Sequence, residues 1–150
     1  MRVVIQRVSK ASVSINKKIR GEIAKGLLIL LGIEETDTIE DIKWLCSKIS
    51  RMRIFTDNNG LMNNSILEIK GDILLISQFT LFASTKKGNR PSFSKAATPD
   101  KAIPLYEKFI HYIQTELGKP IQTGEFGADM KVTLTNDGPV TITIDSKSKE

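Results

Sequence analysis

Asp72-Ile73-Leu74-Leu75-Ile76-Ser77-Gln78-Phe79-Thr80-Leu81 is an apolar run that passes without a break into hydroxyl and amide side chains. The run from Ile73 to Ile76 predicts a buried strand over residues 72–79, central to the fold. Ser77, Gln78, Phe79 and Thr80 then stand where that strand emerges, a position at which side chains and unpaired backbone groups meet solvent. Packing alone gives no reason for such residues there.

Working back from this stretch, residues 2–8 and 11–15 alternate as strands do, residues 16–18 turn the chain into a strand over 19–24, and 26–33 is a longer apolar run that reads as a strand covered on both faces. Asp37 with Glu40 three residues on resembles a capping box. The spacing of Ile39, Ile42, Leu45, Cys46, Ile49 and Met52 supports a helix over 38–51. Residues 54–56 return to strand, and Asp57-Asn58-Asn59-Gly60 is a turn.

Working forward, Thr98 and Pro99 make an N-cap and first position for a helix that reaches Leu117 and stops at Gly118 and Pro120. Pro104, inside that helix, predicts a late start or a kink. Residues 122–145 read as strands broken at Gly127 and at Asp137-Gly138. In the second break, Asn136-Asp137-Gly138-Pro139-Val140-Thr141, a Gly followed by Pro removes a ladder donor and restricts the backbone within a β-like segment. Asn-Asp-Gly also suits an ordinary hairpin turn, and the letters leave the Pro139 isomer open.

Strands outnumber helices, and the two helices are separated by strands. The fold class expected is α+β, with a curved, barrel-like, mostly antiparallel sheet flanked by two helices. A chain of 150 residues with 40% hydrophobic content fits one such domain, over 1–145, followed by a polar tail at 146–150. No apolar run approaches ~20 residues and no leader-like segment opens the chain, so a cytoplasmic protein with no membrane association is expected.

Cys46 is the only cysteine, so no disulfide and no thiolate cluster forms within one chain; its helical spacing marks it as a core residue. His111 is the only imidazole and falls off the Tyr106, Phe109, Ile110, Ile113 stripe. A Ser-His-Asp triad therefore has little to build on, and no metal-ligand spacing appears. Neither a metal nor a cofactor is expected. The net charge of +5 suits a polyanionic partner as well as it suits solubility. Lys86, Lys87, Arg90 and Lys95 are clustered just after the 72–81 stretch, as a solvated loop or as an RNA-backbone contact.

Ser77-Gln78-Phe79-Thr80-Leu81 and Gly138-Pro139 closely resemble the two motifs of the D-aminoacyl-tRNA deacylase family. Residues 1–8, Lys87-Gly88-Asn89-Arg90-Pro91-Ser92-Phe93 and Thr123-Gly124-Glu125-Phe126-Gly127-Ala128-Asp129-Met130 resemble it as well. The resemblance runs to about residue 145. It implies the deacylase fold, a homodimer, and hydrolysis of the ester of D-aminoacyl-tRNA with rejection of L-aminoacyl-tRNA, a chiral proofreading step in translation. It extends to glycyl-tRNA mischarged on tRNA(Ala), since glycine has no side chain to reject.

The resemblance also implies roles. Ser77, Gln78, Phe79 and Thr80 line the catalytic site. Gly138-Pro139 forms a Gly-cisPro unit that reaches into the partner subunit's site and meets the substrate's amino group. Arg7, ending the first strand, braces that loop, and Phe126, Gly127, Ala128 and Met130 shape the adenosine pocket. Thr80 acts either through its hydroxyl or through its amide in an oxyanion hole assisted by the terminal adenosine's 2′-hydroxyl. The second is preferred, because a threonine nucleophile needs a base and none stands beside it. Two other readings are a non-catalytic tRNA-binding module and a β-rich protein that interacts through strand edges. With 6% aromatic residues the chain offers few stacking platforms for the first, and the second leaves both motifs unexplained.

Overall fold

The computed structural model describes residues 1–149. Its two longest strands, β1 (Arg2–Ile15) and β8 (Lys131–Asp145), run antiparallel along each other. β1 is the hub of a six-stranded sheet. On its other side its first half pairs with β3 (Gly26–Gly32) and its second half with β2 (Lys18–Ile23), both antiparallel. The two alternating segments predicted at 2–8 and 11–15 are thus one strand. β6 (Asp72–Ser77) adds parallel to β3, and β7 (Gln122–Thr123) parallel to β6. The other edge curls back until a Cβ at Gly21 on β2 would lie 3.0 Å from the Thr123 carbonyl, so the sheet is nearly a barrel. β4 (Phe55–Thr56) and β5 (Met62–Asn64) make a separate small hairpin around the predicted turn.

Helices α1 (Ile39–Arg51) and α2 (Pro99–Leu117) pack on one face of the sheet. Ile42, Leu45, Cys46 and Ile49 of α1 and Leu105, Tyr106, Phe109 and Ile113 of α2 are buried with Val3, Ile5, Leu27, Ile29, Leu31 and Leu75. Each large side chain so buried stabilises by about 1.5–3 kcal/mol, so tertiary burial, more than helix propensity, holds both helices in place. A second cluster of Val8, Ala11, Val13, Ile23, Leu28, Leu74 and Ile76 fills the other side of the sheet. Burial raises the Cys46 thiol well above its usual range, and the sulfur faces the Phe109 carbonyl.

Four expectations change. The α1 cap lies one residue later than the predicted pair: Thr38 is the N-cap, and its amide donates to Asp41 Oδ2 at 2.9 Å. Asp37 instead accepts from the Met1 amino group at 2.5 Å. Pro104 neither delays nor breaks α2, which begins at Pro99; Asp100, whose carbonyl loses a helical donor there, is exposed. Strand β6 ends at Ser77 instead of continuing to residue 79. Finally, Ser146, read as tail, is buried: it accepts from the Met1 amino group at 2.9 Å and donates to Asp41 at 2.7 Å. Glu150 lies outside the described residues.

Candidate active site

β6 ends because the backbone turns. Gln78 makes one last sheet bond, to the Leu31 carbonyl at 2.7 Å, and residues Phe79–Phe82 then wind into a 3₁₀ turn closed by Leu81 N to Gln78 O at 3.2 Å and Ala83 N to Thr80 O at 3.0 Å. The first amides of any helical turn lack partners within it. Among the described residues, the amides of Phe79 and Thr80 have no acceptor from backbone or side chain. The Thr80 hydroxyl accepts from the Gln78 side-chain amide.

Beside this turn is a cavity of about 500 Å³, a size suited to a small ligand. Ser77, Gln78 and Phe79 form one wall; Phe126, Gly127, Ala128 and Met130 form the wall facing it, and Ala97, Pro99 and Ala102 close it at the start of α2. Three of the four predicted catalytic residues, Ser77, Gln78 and Phe79, thus meet the predicted 126–130 group in one cavity, while Thr80 lies next to its wall and outside the lining. Gly124 allows the closure, since a Cβ there would run into the Met130 sulfur. Phe126 packs edge-on to Tyr106, with ring centroids 5.8 Å apart, and the Tyr106 hydroxyl donates to the Leu75 carbonyl at 3.2 Å. Burial pushes that phenol up to about 12, which keeps it a donor. Ile33, Ala97, Pro99 and Ala102 carried no sequence signal beyond apolarity and a helix start, and were missed.

Among the described residues, no Asp, Glu, His, Cys, Lys or Arg lines the cavity; the polar groups in its wall are hydroxyl, amide and backbone groups. Among the described residues no three His, Cys, Asp or Glu side chains are grouped to hold a metal. His111 is exposed on α2, its ring against Tyr112.

The other motif lies elsewhere. Gln6 pairs with Thr141 and Val8 with Asn136, so Arg7 alone faces residues 137–140, which bulge out of β8. The peptide bond between Gly138 and Pro139 is cis. Asn136 closes the bulge, accepting from the Val140 amide and donating to Thr141 Oγ1, both at 3.0 Å. Arg7 is buried mid-strand, not at a strand end. Its Nε donates to the Asp137 carbonyl at 3.0 Å and its Nη1 to the Ile54 carbonyl at 2.5 Å. Gly138 has φ +130°, and a Cβ there would stand 2.9 Å from Arg7 Nη2 and from Val140 Cγ2. Asp137, Gly138 and Pro139 are exposed. Arg7 pairs with Leu27, four residues from the cavity-lining Leu31, so the bulge lies roughly 13 Å along the sheet from the cavity. Within one chain the two motifs do not meet.

Lys86, Lys87 and Arg90 are exposed on a loop outside the cavity lining, with Gly88 at φ +93° near its tip. No described helix is long and apolar enough to cross a membrane.

The family model described as D-Tyr-tRNA(Tyr) deacylase matches residues 4–145. A D-aminoacyl-tRNA deacylase of Bacteroides fragilis is 66% identical over 150 residues, the whole of both chains. One of Flavobacterium psychrophilum is 64% identical, again over the whole of both. Among solved structures, a "c-Myc DNA Unwinding Element Binding Protein" is 36% identical with a TM-score of 0.91, covering 97% of this chain and 98% of that one. A "probable eukaryotic D-amino acid tRNA deacylase" shares the fold at 19% identity, TM-score 0.80, covering 95% and 97%. The match spans both motifs, the cavity walls and the strand that carries Arg7, and the chain belongs to the D-Tyr-tRNA(Tyr) deacylase family.

Proposed function

We propose that this chain is a D-aminoacyl-tRNA deacylase, a cytoplasmic hydrolase that cleaves the ester joining a D-amino acid to the terminal adenosine of tRNA and leaves L-aminoacyl-tRNA intact. The observation that carries the reading is the pair of partnerless amides, Phe79 and Thr80, beside a cavity without an ionisable group. An aminoacyl ester is already an activated acyl donor, so positioning and oxyanion stabilisation supply the rate. Water attacks the carbonyl carbon, assisted by the adenosine's 2′-hydroxyl, and the developing oxyanion is received by the two amides. As the tetrahedral adduct collapses, the bond from carbon to the 3′ oxygen breaks, a proton passes to that oxygen, and free D-amino acid and tRNA leave. Ser77 and Gln78 hold the ester, Gln78 also orients Thr80, and Phe126, Gly127, Ala128 and Met130 enclose the adenosine. Lys86, Lys87 and Arg90 contact the RNA backbone.

The chiral filter is Gly138-Pro139 of a second copy, in a homodimer that brings each bulge to the other chain's cavity. Its support is the distance between the motifs in one chain and the exposure of a bulge that Arg7 clamps from within. Backbone placed against the substrate's α-carbon excludes an L side chain by clash, while a D side chain points away. Glycine escapes the filter, so glycyl-tRNA, including glycine mischarged on tRNA(Ala), is cleaved as well.

Parallel hydrolysis of D-tyrosyl-tRNA and L-tyrosyl-tRNA, with EDTA present, tests the reading. Selective loss of the D-ester supports it; persistence of both esters overturns it. In the second case a nucleic-acid-binding module without turnover takes its place, a reading favoured by the basic loop and by the DNA-binding name of one structural relative.

A further inference from the structure

Phe93 is outside the site assembled above, yet its ring lies 5.1 Å from that of Phe79, inclined at 73°. Phe79 is 56% exposed and Phe93 36%. Large apolar side chains exposed singly need no explanation; a T-shaped aromatic pair at the rim of a ligand-sized cavity does. The segment that presents Phe93 is tied down on both sides. Ser84 and Ser92 exchange backbone hydrogen bonds of 2.8 and 2.9 Å, the Phe93 carbonyl accepts from Ala96 at 3.0 Å, and Ala97 donates to the Ile33 carbonyl at 2.9 Å. The ring is thus anchored between the cavity and the loop that carries Lys86, Lys87 and Arg90. Residues 73–99 contain no Asp or Glu, so this side of the cavity presents only basic or neutral side chains of its own, whereas Glu125 and Asp129 flank the facing wall.

Aromatic rings beside lysine and arginine are how proteins hold single-stranded nucleic acid without reading its sequence: bases stack and phosphates pair with the cations. With the terminal adenosine enclosed between the Ser77 and Phe126 walls, Phe79, which lines the cavity and is also exposed, joins that enclosure to the Phe93 ring and the basic loop beyond it. We propose that Phe93, with Phe79 braced against it, is a stacking platform for the nucleobase that precedes the terminal adenosine, and that it hands the strand on to Lys86, Lys87 and Arg90. This rests on the hydrolase reading and adds a subsite to it. Phe93 is a positioning residue: it acts on the substrate's path and touches no reacting atom.

The test uses two substrates that differ only in what precedes the adenosine, D-tyrosyl-tRNA and the D-tyrosyl ester of adenosine alone, with the wild-type chain, Phe93→Ala and Phe93→Trp. Loss of one stacked base is expected to raise KM of Phe93→Ala for D-tyrosyl-tRNA roughly five- to a hundredfold. Its kcat stays the same, as do both constants for the adenosine ester, and Phe93→Trp restores KM. The proposal is overturned if Phe93→Ala changes both substrates alike or neither, or if Trp serves no better than Ala. An equal loss on both substrates together with a changed oligomeric state would mean that a second copy, not RNA, covers the pair. A wild-type chain that cleaves neither ester overturns the hydrolase reading itself, an outcome distinct from the other three.

Discussion

The turn at Phe79–Phe82 and the bulge at residues 137–140 are both places where a strand stops behaving as a strand, and they are held in opposite ways. The turn keeps its own backbone donors free: Phe79 and Thr80 present unpaired amides beside a cavity. The bulge is fastened by its neighbours, with Arg7 beneath it and Asn136 across its neck, and it turns an exposed backbone edge outward with nothing in its own chain to act on. On the proposed reading the first region is a receiver and the second a rigid probe, and the proposed homodimer is what brings them together.

The largest break in this contrast is expected from Gly138→Ala. A methyl group would meet Arg7 Nη2 and Val140 Cγ2, each 2.9 Å away, at a φ of +130° that L side chains rarely adopt, costing roughly 1–3 kcal/mol of backbone strain. We expect D/L selectivity to fall at least about a hundredfold, corresponding to about 2.7 kcal/mol of transition-state discrimination, while circular dichroism shows the fold retained. Selectivity unchanged in the folded variant would separate the bulge from the filter.

Arg7→Ala comes next. It leaves the carbonyls of Ile54 and Asp137 without their guanidinium donor, at about 1–3 kcal/mol for each one that stays buried and unsatisfied. A urea midpoint lower by the equivalent of about 2–4 kcal/mol, together with impaired D-ester hydrolysis, is expected. A loss of stability with activity intact would make Arg7 a brace for the fold alone.

Thr80→Val tests the receiving side and should do less. If the amide carries the chemistry, kcat falls by less than about tenfold; a loss of about a thousandfold or more, on the scale of removing an essential catalytic group, assigns the reaction to the hydroxyl.

The smallest effect is expected far from both regions, at Lys147→Ala. Burial raises the Asp41 carboxyl, but hydrogen bonds from Lys147, Ser146 and Thr38 outweigh it and hold the group well below the usual carboxylate range. A carboxyl depressed in the folded state stabilises above its unfolded value and loses that contribution as pH falls through the folded one. Lys147 is partly exposed, so its removal should cost less than about 1 kcal/mol at pH 7. The difference from wild type, followed by thermal melts, should shrink as pH drops below about 4.

Much of this architecture was legible in the residues. Continuous apolar runs within 26–33 and 72–79 marked buried strands, which the structure places at Gly26–Gly32 and Asp72–Ser77, and the Thr98-Pro99 and Gly118 signals bounded α2 at both ends. What escaped was set by partners distant in sequence. Spacing alone makes Arg7 any charged strand residue; the family resemblance tied it to the Gly138-Pro139 loop, but its burial opposite four residues of β8 follows only from the pairing. Ser146 looks like tail until the Met1 amino group and Asp41 close on it. The Ser77 and Phe126 segments were each singled out by family resemblance, but that they face one another across a cavity follows from the way β6, β7 and the loop before β8 are stacked. Phe93, within a quoted motif, gained meaning only through the ring of Phe79.

The cavity's lack of ionisable side chains has a practical corollary. The proposed centre, whose working parts are main-chain amides, is invisible to alanine scanning, because alanine keeps the N–H, and among the described residues its wall offers reagents for cysteine, histidine or lysine nothing to modify. Proline at position 79 or 80, which deletes one donor at a time, is the substitution that would locate it. Inhibitors would have to succeed by filling a shape.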